Sequence, residues 1–290
     1  MAIDRERLLA LEIPAITQRY GAREAVLYAL GCGLGLDPLD ERQLDFVCAE
    51  RGPALLPSFA TVLGQPGFWA RDLDTGIDWV RLVHGEQGLR LHRPLPATGE
   101  VRGDSRVVEV LDRGEGRGAL VYVEQRLTDT ASGDLLATLT QTLFCRGDGG
   151  FGGPSGPARK PPPMPDRPAE SRYALPTSPQ SALIYRLSGD FNPLHSDPPV
   201  ARKAGYERPI LHGLATFGLA CHAVQRVLAD PAQQTIAELE CRFTAPAVPG
   251  ETVETAMWRL EEGAYAFRAS VGERVVLDNG RVRLERFGGE

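Results

Sequence analysis

The chain has 290 residues, of which 42% are hydrophobic and 24% charged, and its formal net charge is −6. This length and balance indicate a soluble globular protein with one large domain or two of ordinary size. The negative charge, without a basic run, argues against nucleic acid as a partner, and the lack of a run of about 18 apolar residues argues against a membrane-spanning helix.

The first part of the chain contains short helical patterns followed by strand patterns. Apolar spacing predicts helices at 5–12 and 22–32, a turn rich in Gly, Pro and Asp at 33–40, and an apolar helix at 55–64. Segments rich in β-branched and apolar residues follow at 79–95, 104–114, 118–129 and 134–147. Short strands at this spacing predict an antiparallel sheet.

The segment 148–180 is rich in Pro and Gly and cannot bury enough apolar surface to fold alone, so it is predicted to be a partly extended linker. After it the order of elements repeats. A helical stretch begins at Ser181, a long helix begins at His212, and strands are predicted at about 236–246, 252–260, 264–271 and 274–285.

The repeat is visible in residues as well as in element order. YALGCGLGLDPLD (28–40) parallels YRLSGDFNPLHSD (185–197), LLPSFATVLG (55–64) parallels ILHGLATFG (210–218), and RPLPATGE (93–100) parallels APAVPGE (245–251). We therefore predict an internal duplication with one copy in residues 1–147 and the other in residues 181–290.

One short stretch of the second copy concentrates reactive side chains. Asp190, Asn192 and His195 lie within six residues, and Gly189 and Pro193 prevent a regular helix or central strand there. A tight turn that presents an acid/base pair is one interpretation. The alternative is an Asx turn closed by Asn-Pro, with the histidine used only for packing.

A helix start follows seventeen residues after this stretch. Gly213 falls in the first turn of the predicted helix, where backbone N–H groups have no intrahelical partner and the dipole favours negative charge. An acid/base pair that faces such a helix end can move protons beside a developing oxyanion. The neighbouring His212 is expected to satisfy a nearby carbonyl.

The sequence GDFNPLH (189–195), followed by ILHGLATFG, resembles the signature of the type 2 (R-specific) enoyl-CoA hydratases, the MaoC-like dehydratases of hot-dog fold. The resemblance implies an α+β double hot-dog, in which two antiparallel sheets each wrap a central helix in tandem. It also implies reversible hydration of trans-2-enoyl-CoA, with an acyl-CoA thioester as substrate and neither a metal nor a redox cofactor.

The resemblance assigns a role to each residue of the motif. Asp190 and His195 hold the catalytic water, and which of them takes its proton is open at this point. Asn192 orients the water or the thioester, and the Gly213 N–H stabilises the thioester oxygen. The first copy has Leu56-Pro57 where the second has His212-Gly213, and no imidazole in the turn, so one active site per chain is expected.

The resemblance also implies contacts with the substrate and its CoA. The residues concerned are His84, Gly85, Arg113, Pro193, Leu194 and Phe243. Arginine stands at 113 where the family usually has lysine, and it keeps the charge needed for phosphate. Arg202 and Lys203 could add phosphate contacts or form a solvated basic pair, and Glu50 resembles a family carboxylate at a shorter spacing.

The same residues also allow other functions. The same acid/base pair serves dehydration of a branched, dicarboxylic or polyketide-type acyl thioester. A non-catalytic acyl-CoA-binding hot-dog protein has no need of the Asp190, Asn192 and His195 constellation, and the motif also fits a hot-dog thioesterase less well.

The two ends of the chain and its cysteines suggest in which compartment the protein works and whether it holds zinc or disulfides. Charges fill residues 1–12, where a signal peptide needs an apolar core, and the final Gly-Gly-Glu does not match the peroxisomal Ser-Lys-Leu address. A cytoplasmic protein is expected, as a monomer or a homodimer. The five cysteines include no CxxC pair, which favours buried thiols over structural zinc or a disulfide framework.

Overall fold

The computed structural model of the chain describes residues 3–51, 54–156, 161–229 and 234–286. Residues 157–160 of the predicted linker and the C-terminal Gly-Gly-Glu lie outside the described residues. Ten strands in the described part form one antiparallel sheet. They are β1 (Ile16–Tyr20), β2 (Leu82–Leu91), β3 (Gly99–Asp112), β4 (Ala119–Asp129), β5 (Leu135–Cys145), β6 (Ser171–Pro176), β7 (Thr235–Phe243), β8 (Thr252–Glu261), β9 (Ala264–Val271) and β10 (Arg274–Glu285).

The two halves of the sheet repeat one strand order. The full order is β1-β3-β4-β5-β2-β7-β10-β9-β8-β6, so the first five and the last five strands of the chain are arranged alike on either side of the β2–β7 pair. The eight strands predicted from apolar patterning are all present, with ends that differ by a few residues.

β2 and β7 join the two predicted sheets into one continuous sheet. Glu86 pairs with Arg242, and Arg90 with Glu238, across this junction. The ion pair between Arg242 Nη2 and Glu86 Oε1, at 2.6 Å, also crosses it. The two strands satisfy each other's backbone N–H and C=O groups, which would be unpaired at an open edge.

Seven α-helices accompany the sheet in the described residues. They are α1 (Arg5–Leu9), α2 (Ala22–Gly31), α3 (Leu44–Val47), α4 (Trp69–Asp72), α5 (Ser181–Tyr185), α6 (Pro198–Lys203) and α7 (Gly213–Leu228). The long helix predicted from His212 is α7, and its residues from Ala215 to Val224 are all buried. It lies against strands of the second half and is the central helix of that half.

The corresponding segment of the first half is not an α-helix. Residues Pro57–Val62 form a 3-10 helix of six residues, where a longer apolar helix was predicted at 55–64. The segment ends at Gly64, which has a φ of +59°. A Cβ placed on Gly64 would lie 2.8 Å from the backbone nitrogen of Gly103 in β3. This close backbone contact turns the chain and stops helical continuation.

Two short strands were not predicted. β1 and β6 lie at the two outer edges of the sheet. β6 falls inside the segment 148–180, so the prediction of a linker there needs correction: Ser171–Pro176 pairs with residues 252–257 of β8. This pairing supplies hydrogen-bond partners that the Pro-rich segment cannot supply from within itself.

The main core lies between α7 and the inner face of the sheet and contains buried residues from both halves. Cys32, Cys145, Cys221 and Cys241 are buried free thiols, and Cys48 is partly exposed. None of the helices in the described residues is long and apolar enough to cross a membrane.

Candidate active site

The loop that carries the predicted acid/base pair is a series of tight turns. Gly189 has a φ of +122°, a conformation that favours glycine. The Asp190 side chain accepts a hydrogen bond from the Asn192 N–H at 3.0 Å, and the Asn192 side chain accepts one from the Leu194 N–H at 3.0 Å. Pro193 begins a single 3-10 turn that ends at His195. The Asx turns of the alternative interpretation are therefore present in the same loop as the acid/base pair.

His195 is buried, with 8% of its surface exposed. Its Nδ1 lies 2.9 Å from the carbonyl oxygen of Ile210. Because a carbonyl only accepts hydrogen bonds, Nδ1 carries the proton, and Nε2 keeps a lone pair in the neutral ring. Burial lowers the pKa of His195, against opposing effects of the Ile210 carbonyl and the charge of Asp190. The ring is therefore neutral at pH 7, with Nε2 as a proton acceptor.

His212 lies behind His195 and is 1% exposed. The two imidazole rings stack, with centroids 3.8 Å apart and an interplanar angle of 28°. The Nε2 atom of His212 lies 3.1 Å from the carbonyl oxygen of Asp190, and Tyr185 packs on the ring with a centroid distance of 5.0 Å. Burial, helped by the proximity of His195, lowers the pKa of His212 to about 4.

Gly213 begins α7 and is exposed. A Cβ built on Gly213 would lie 3.4 Å from the Phe243 ring, so the start of the helix faces the end of β7. The ring of Phe243 in turn lies 4.9 Å from the ring of His84 in β2. The structure thus brings three of the residues predicted from the sequence into one group.

His84 brings the first half of the chain to this group. A register shift between His84 and Glu86 makes Gly85 a bulge opposite β5, and a Cβ on Gly85 would lie 3.2 Å from the carbonyl oxygen of Thr142. Bulges of this kind redirect side chains beside functional sites. Burial lowers the pKa of His84 to about 4, while the charge of Asp190 opposes this shift. The Nε2 atom of His84 is buried without a hydrogen-bond partner.

The other predicted substrate contacts lie further out. Arg113 follows β3, and its Nη1 donates to the Gly156 carbonyl at 3.3 Å. The register of β3, β4, β5 and β2 aligns His84 with Val110. Arg113 therefore lies at the same end of the sheet as His84, three strand spacings (roughly 14 Å) across and three residues (roughly 10 Å) further along. Pro193 is exposed and Leu194 partly buried in the loop itself.

Three further predicted residues are exposed at the surface. Arg202 and Lys203 form the last turn of α6, and Glu50 lies on the 3-10 turn Ala49–Arg51, which packs near α2. Their contacts with a substrate stay predictions.

Asp190, His195 and His212 are also residue types that bind metals, and their ligand atoms all lie within 4.8 Å of one another. One nitrogen of each ring, however, already bonds a backbone carbonyl: Nδ1 of His195 that of Ile210, and Nε2 of His212 that of Asp190. The remaining nitrogen of His212 is buried without a partner. The arrangement therefore fits proton transfer better than metal binding.

Sequence reasoning missed several residues of the site. Ile210 supplies the carbonyl that orients His195, and Tyr185 packs on His212. The Arg186 guanidinium lies 5.0 Å from the centroid of the Phe191 ring, which is 58% exposed. Phe191 lies within the motif GDFNPLH, so its position in the sequence could have indicated that it belongs to the site. A backbone carbonyl, by contrast, leaves no trace in side-chain identity.

Two family models divide the chain between them. Residues 18–147 match the MFE-2 hydratase 2 N-terminal domain, and residues 161–279 match the MaoC like domain. The 3-hydroxyacyl-thioester dehydratase Y of Mycobacterium tuberculosis is 41% identical, over 97% of this chain and 98% of its own length. The peroxisomal enoyl-CoA hydratase 2 of Arabidopsis thaliana is 35% identical, over 92% of this chain and 90% of its own.

Solved structures agree with these matches. A MaoC-like dehydratase from Phytophthora capsici has a TM-score of 0.82 at 30% identity, covering 98% of this chain and 99% of that one. A Mycobacterium tuberculosis protein described as a double hotdog has a TM-score of 0.55 at 19% identity over 96% and 95% of the two chains, a likeness of fold alone. These findings confirm the predicted α+β double hot-dog. The chain belongs to the family of MaoC-like dehydratases and type 2 hydratases, whose named members are hydro-lyases.

Proposed function

We propose that this chain is an (R)-specific 2-enoyl-CoA hydratase that also dehydrates (R)-3-hydroxyacyl-CoA in the reverse direction. The names of two relatives support both directions, since one is a 3-hydroxyacyl-thioester dehydratase and the other an enoyl-CoA hydratase 2. The observation that carries the proposal is the neutral imidazole of His195, oriented by Ile210 and placed beside the carboxylate of Asp190.

In the proposed reaction, Nε2 of His195 accepts a proton from a water molecule while the oxygen of that water bonds to C3 of the enoyl thioester. The Asp190 carboxylate accepts the second hydrogen bond of the water and stabilises the imidazolium that forms. The imidazolium then returns the proton to C2. Both parts of one water thus add to the same face of the double bond, which is syn addition. This scheme makes His195 the base, a choice that the sequence left open.

Negative charge on the thioester oxygen needs a donor that is already in place. The Gly213 N–H at the start of α7 is the proposed donor, because it belongs to the first turn of a sixteen-residue helix. The Asn192 side-chain oxygen accepts a hydrogen bond from the Leu194 N–H, which orients the amide, and its NH2 group can donate. We assign that group to the water or the thioester.

The remaining contacts are assigned to the CoA part of the substrate. His84, Gly85 and Phe243 lie beside the start of α7, and Arg113 lies at the same end of the sheet, where its charge can bind a phosphate of the CoA. Pro193 and Leu194 are proposed to border the thioester. The first half is proposed to act as a wall of the single active site, and its departure from the second half is proposed to widen the acyl tunnel for medium or long chains.

The test is hydration of straight-chain substrates from crotonyl-CoA to dodecenoyl-CoA. The loss of the enoyl-thioester absorbance measures the rate, and chiral analysis identifies the product. We expect the (R)-3-hydroxy product, and loss of turnover in Asp190→Asn. Asp197→Asn is the matched control. Asp197 caps α6 through the Val200 N–H, and asparagine caps a helix equally well. Undiminished turnover in Asp190→Asn contradicts the assignment.

Two alternatives have distinct outcomes in the same assay. Turnover only of branched, dicarboxylic or polyketide-type thioesters would assign the chain to dehydration of those substrates. Tight binding of CoA esters without turnover would assign it to acyl-CoA binding. A cytoplasmic location, and a monomeric or homodimeric state, are proposed alongside the activity.

A further inference from the structure

His212 contacts three groups of the active site. Its ring packs against the ring of His195, at a centroid distance of 3.8 Å, and against that of Tyr185, at 5.0 Å. Its Nε2 lies 3.1 Å from the carbonyl oxygen of Asp190. Gly213 follows it directly in the chain. One side chain therefore contacts the two acid/base residues and precedes the residue that donates to the thioester oxygen.

The hydrogen bond fixes the tautomer of His212. The Asp190 carbonyl has no proton to give, so Nε2 of His212 is the donor. The low pKa of the buried ring keeps it neutral, which leaves Nδ1 as the unprotonated nitrogen. That Nδ1 atom is buried and has no hydrogen-bond partner. Neither nitrogen therefore contacts the substrate, and His212 acts through other residues.

We propose that His212 is a positioning residue, whose Nε2–H holds the Asp190 turn against the start of α7 while its ring keeps the His195 imidazole in place. A hydrocarbon side chain could fill this space without burying an unpaired nitrogen, which is unfavourable. The hydrogen bond of Nε2 therefore explains why an imidazole stands here. The bond to Asp190 spans 22 residues and joins the loop that carries the carboxylate to the helix that carries the Gly213 N–H. Its kinetic consequence rests on the proposed hydratase activity.

Two amide variants separate the hydrogen bond from simple packing. The amide nitrogen of glutamine reaches the position of histidine Nε2, whereas that of asparagine reaches only the position of Nδ1. We expect H212Q to keep kcat within about threefold of the wild type. We expect H212N to lower kcat by about 10- to 100-fold, since a displacement of about 1 Å at a catalytic group has effects of this size. KM should change by less than about twofold in both variants.

The difference in kcat between H212Q and H212N tests the proposal. Equal kcat values for H212Q and H212N, whether high or low, would overturn the proposal, and so would an effect on KM alone. Thermal unfolding of both variants shows whether they fold alike.

A second measurement is independent of activity and of any variant's folding. Long-range proton–nitrogen NMR on the wild-type protein with labelled histidine reports which nitrogen of His212 is protonated, with its signal assigned sequentially in the same protein. A protonated Nε2 is expected, and a protonated Nδ1 overturns the proposal. If the wild type hydrates none of the thioesters, the proposed function fails, and the tautomer still decides the inference about His212.

Discussion

Replacing Gly213 by alanine separates catalysis from stability. The backbone at this position accepts a side chain, because a Cβ would lie 3.4–3.7 Å from atoms of the Phe243 ring, an ordinary van der Waals distance. Alanine also costs less backbone entropy than glycine in a helix, by up to about 1 kcal/mol. The free energy of unfolding should therefore be unchanged or slightly higher.

The activity of Gly213→Ala, unlike its stability, should fall. The new methyl group would stand where the thioester must approach the N–H of residue 213. Removal of one donor to an oxyanion typically lowers kcat by about 10²- to 10³-fold, and we expect a loss of roughly 10²-fold here. Enoyl-thioester absorbance measures the rate, and denaturant unfolding of the same samples measures the stability.

Gly218 in the same helix is the matched control. A Cβ on Gly218 would overlap Cys32 Sγ and lie 3.1 Å from the hydroxyl of Tyr28. Overpacking of a buried site costs about 1–3 kcal/mol, so Gly218→Ala should lose stability while the folded protein keeps its turnover. The reasoning fails if Gly213→Ala hydrates substrate at the wild-type rate, or if it loses as much stability as Gly218→Ala.

Two further predictions concern pH and backbone packing. His195 must be neutral to accept a proton, and burial lowers its pKa below the usual 6.5, so kcat/KM should fall toward acid pH through an inflection below 6.5. An inflection above 6.5 in the pH profile contradicts this assignment. In Gly103→Ala the new Cβ would overlap the Gly64 carbonyl and lie 2.5 Å from Gln125 Nε2. The free energy of unfolding should therefore fall by about 1–3 kcal/mol. An unchanged midpoint in denaturant unfolding would show that the two backbones can separate freely.

The strands of the sheet were predictable where one face is buried. β3, β4 and β10 carry enough alternating apolar residues to fix both their existence and their approximate ends. β1 and β6 have five and six residues, and each has one buried residue, so local pattern does not distinguish them from loops. They form because a neighbouring strand offers hydrogen-bond partners, which is long-range information.

The central segment of the first half shows a similar limit. Residues 55–64 have the apolar spacing of a helix, yet the contact between Gly64 and Gly103 ends the segment as a short 3-10 helix. The two glycines are 39 positions apart in the sequence, and no local pattern reveals that their backbones touch.

The sequence predicts the members of the candidate site but not its geometry. The motif predicts Asp190, Asn192 and His195, and the helix start predicts Gly213; their roles stay predictions. The tautomer of His195 depends on the carbonyl of Ile210, a backbone group that any residue could supply. The stacking of His195 and His212 depends on the angle between the loop and α7, which only the folded chain defines.

The continuous pairing of β2 with β7 changes how the two halves can diverge. In a symmetric dimer of identical subunits, every substitution appears twice, so a site cannot be lost from one subunit and kept in the other. Here the linking chain makes the junction intramolecular, at a high effective concentration that does not depend on how much protein is present. Each half can therefore accumulate its own substitutions, so that His212-Gly213 can stand in the second half where the first has Leu56-Pro57.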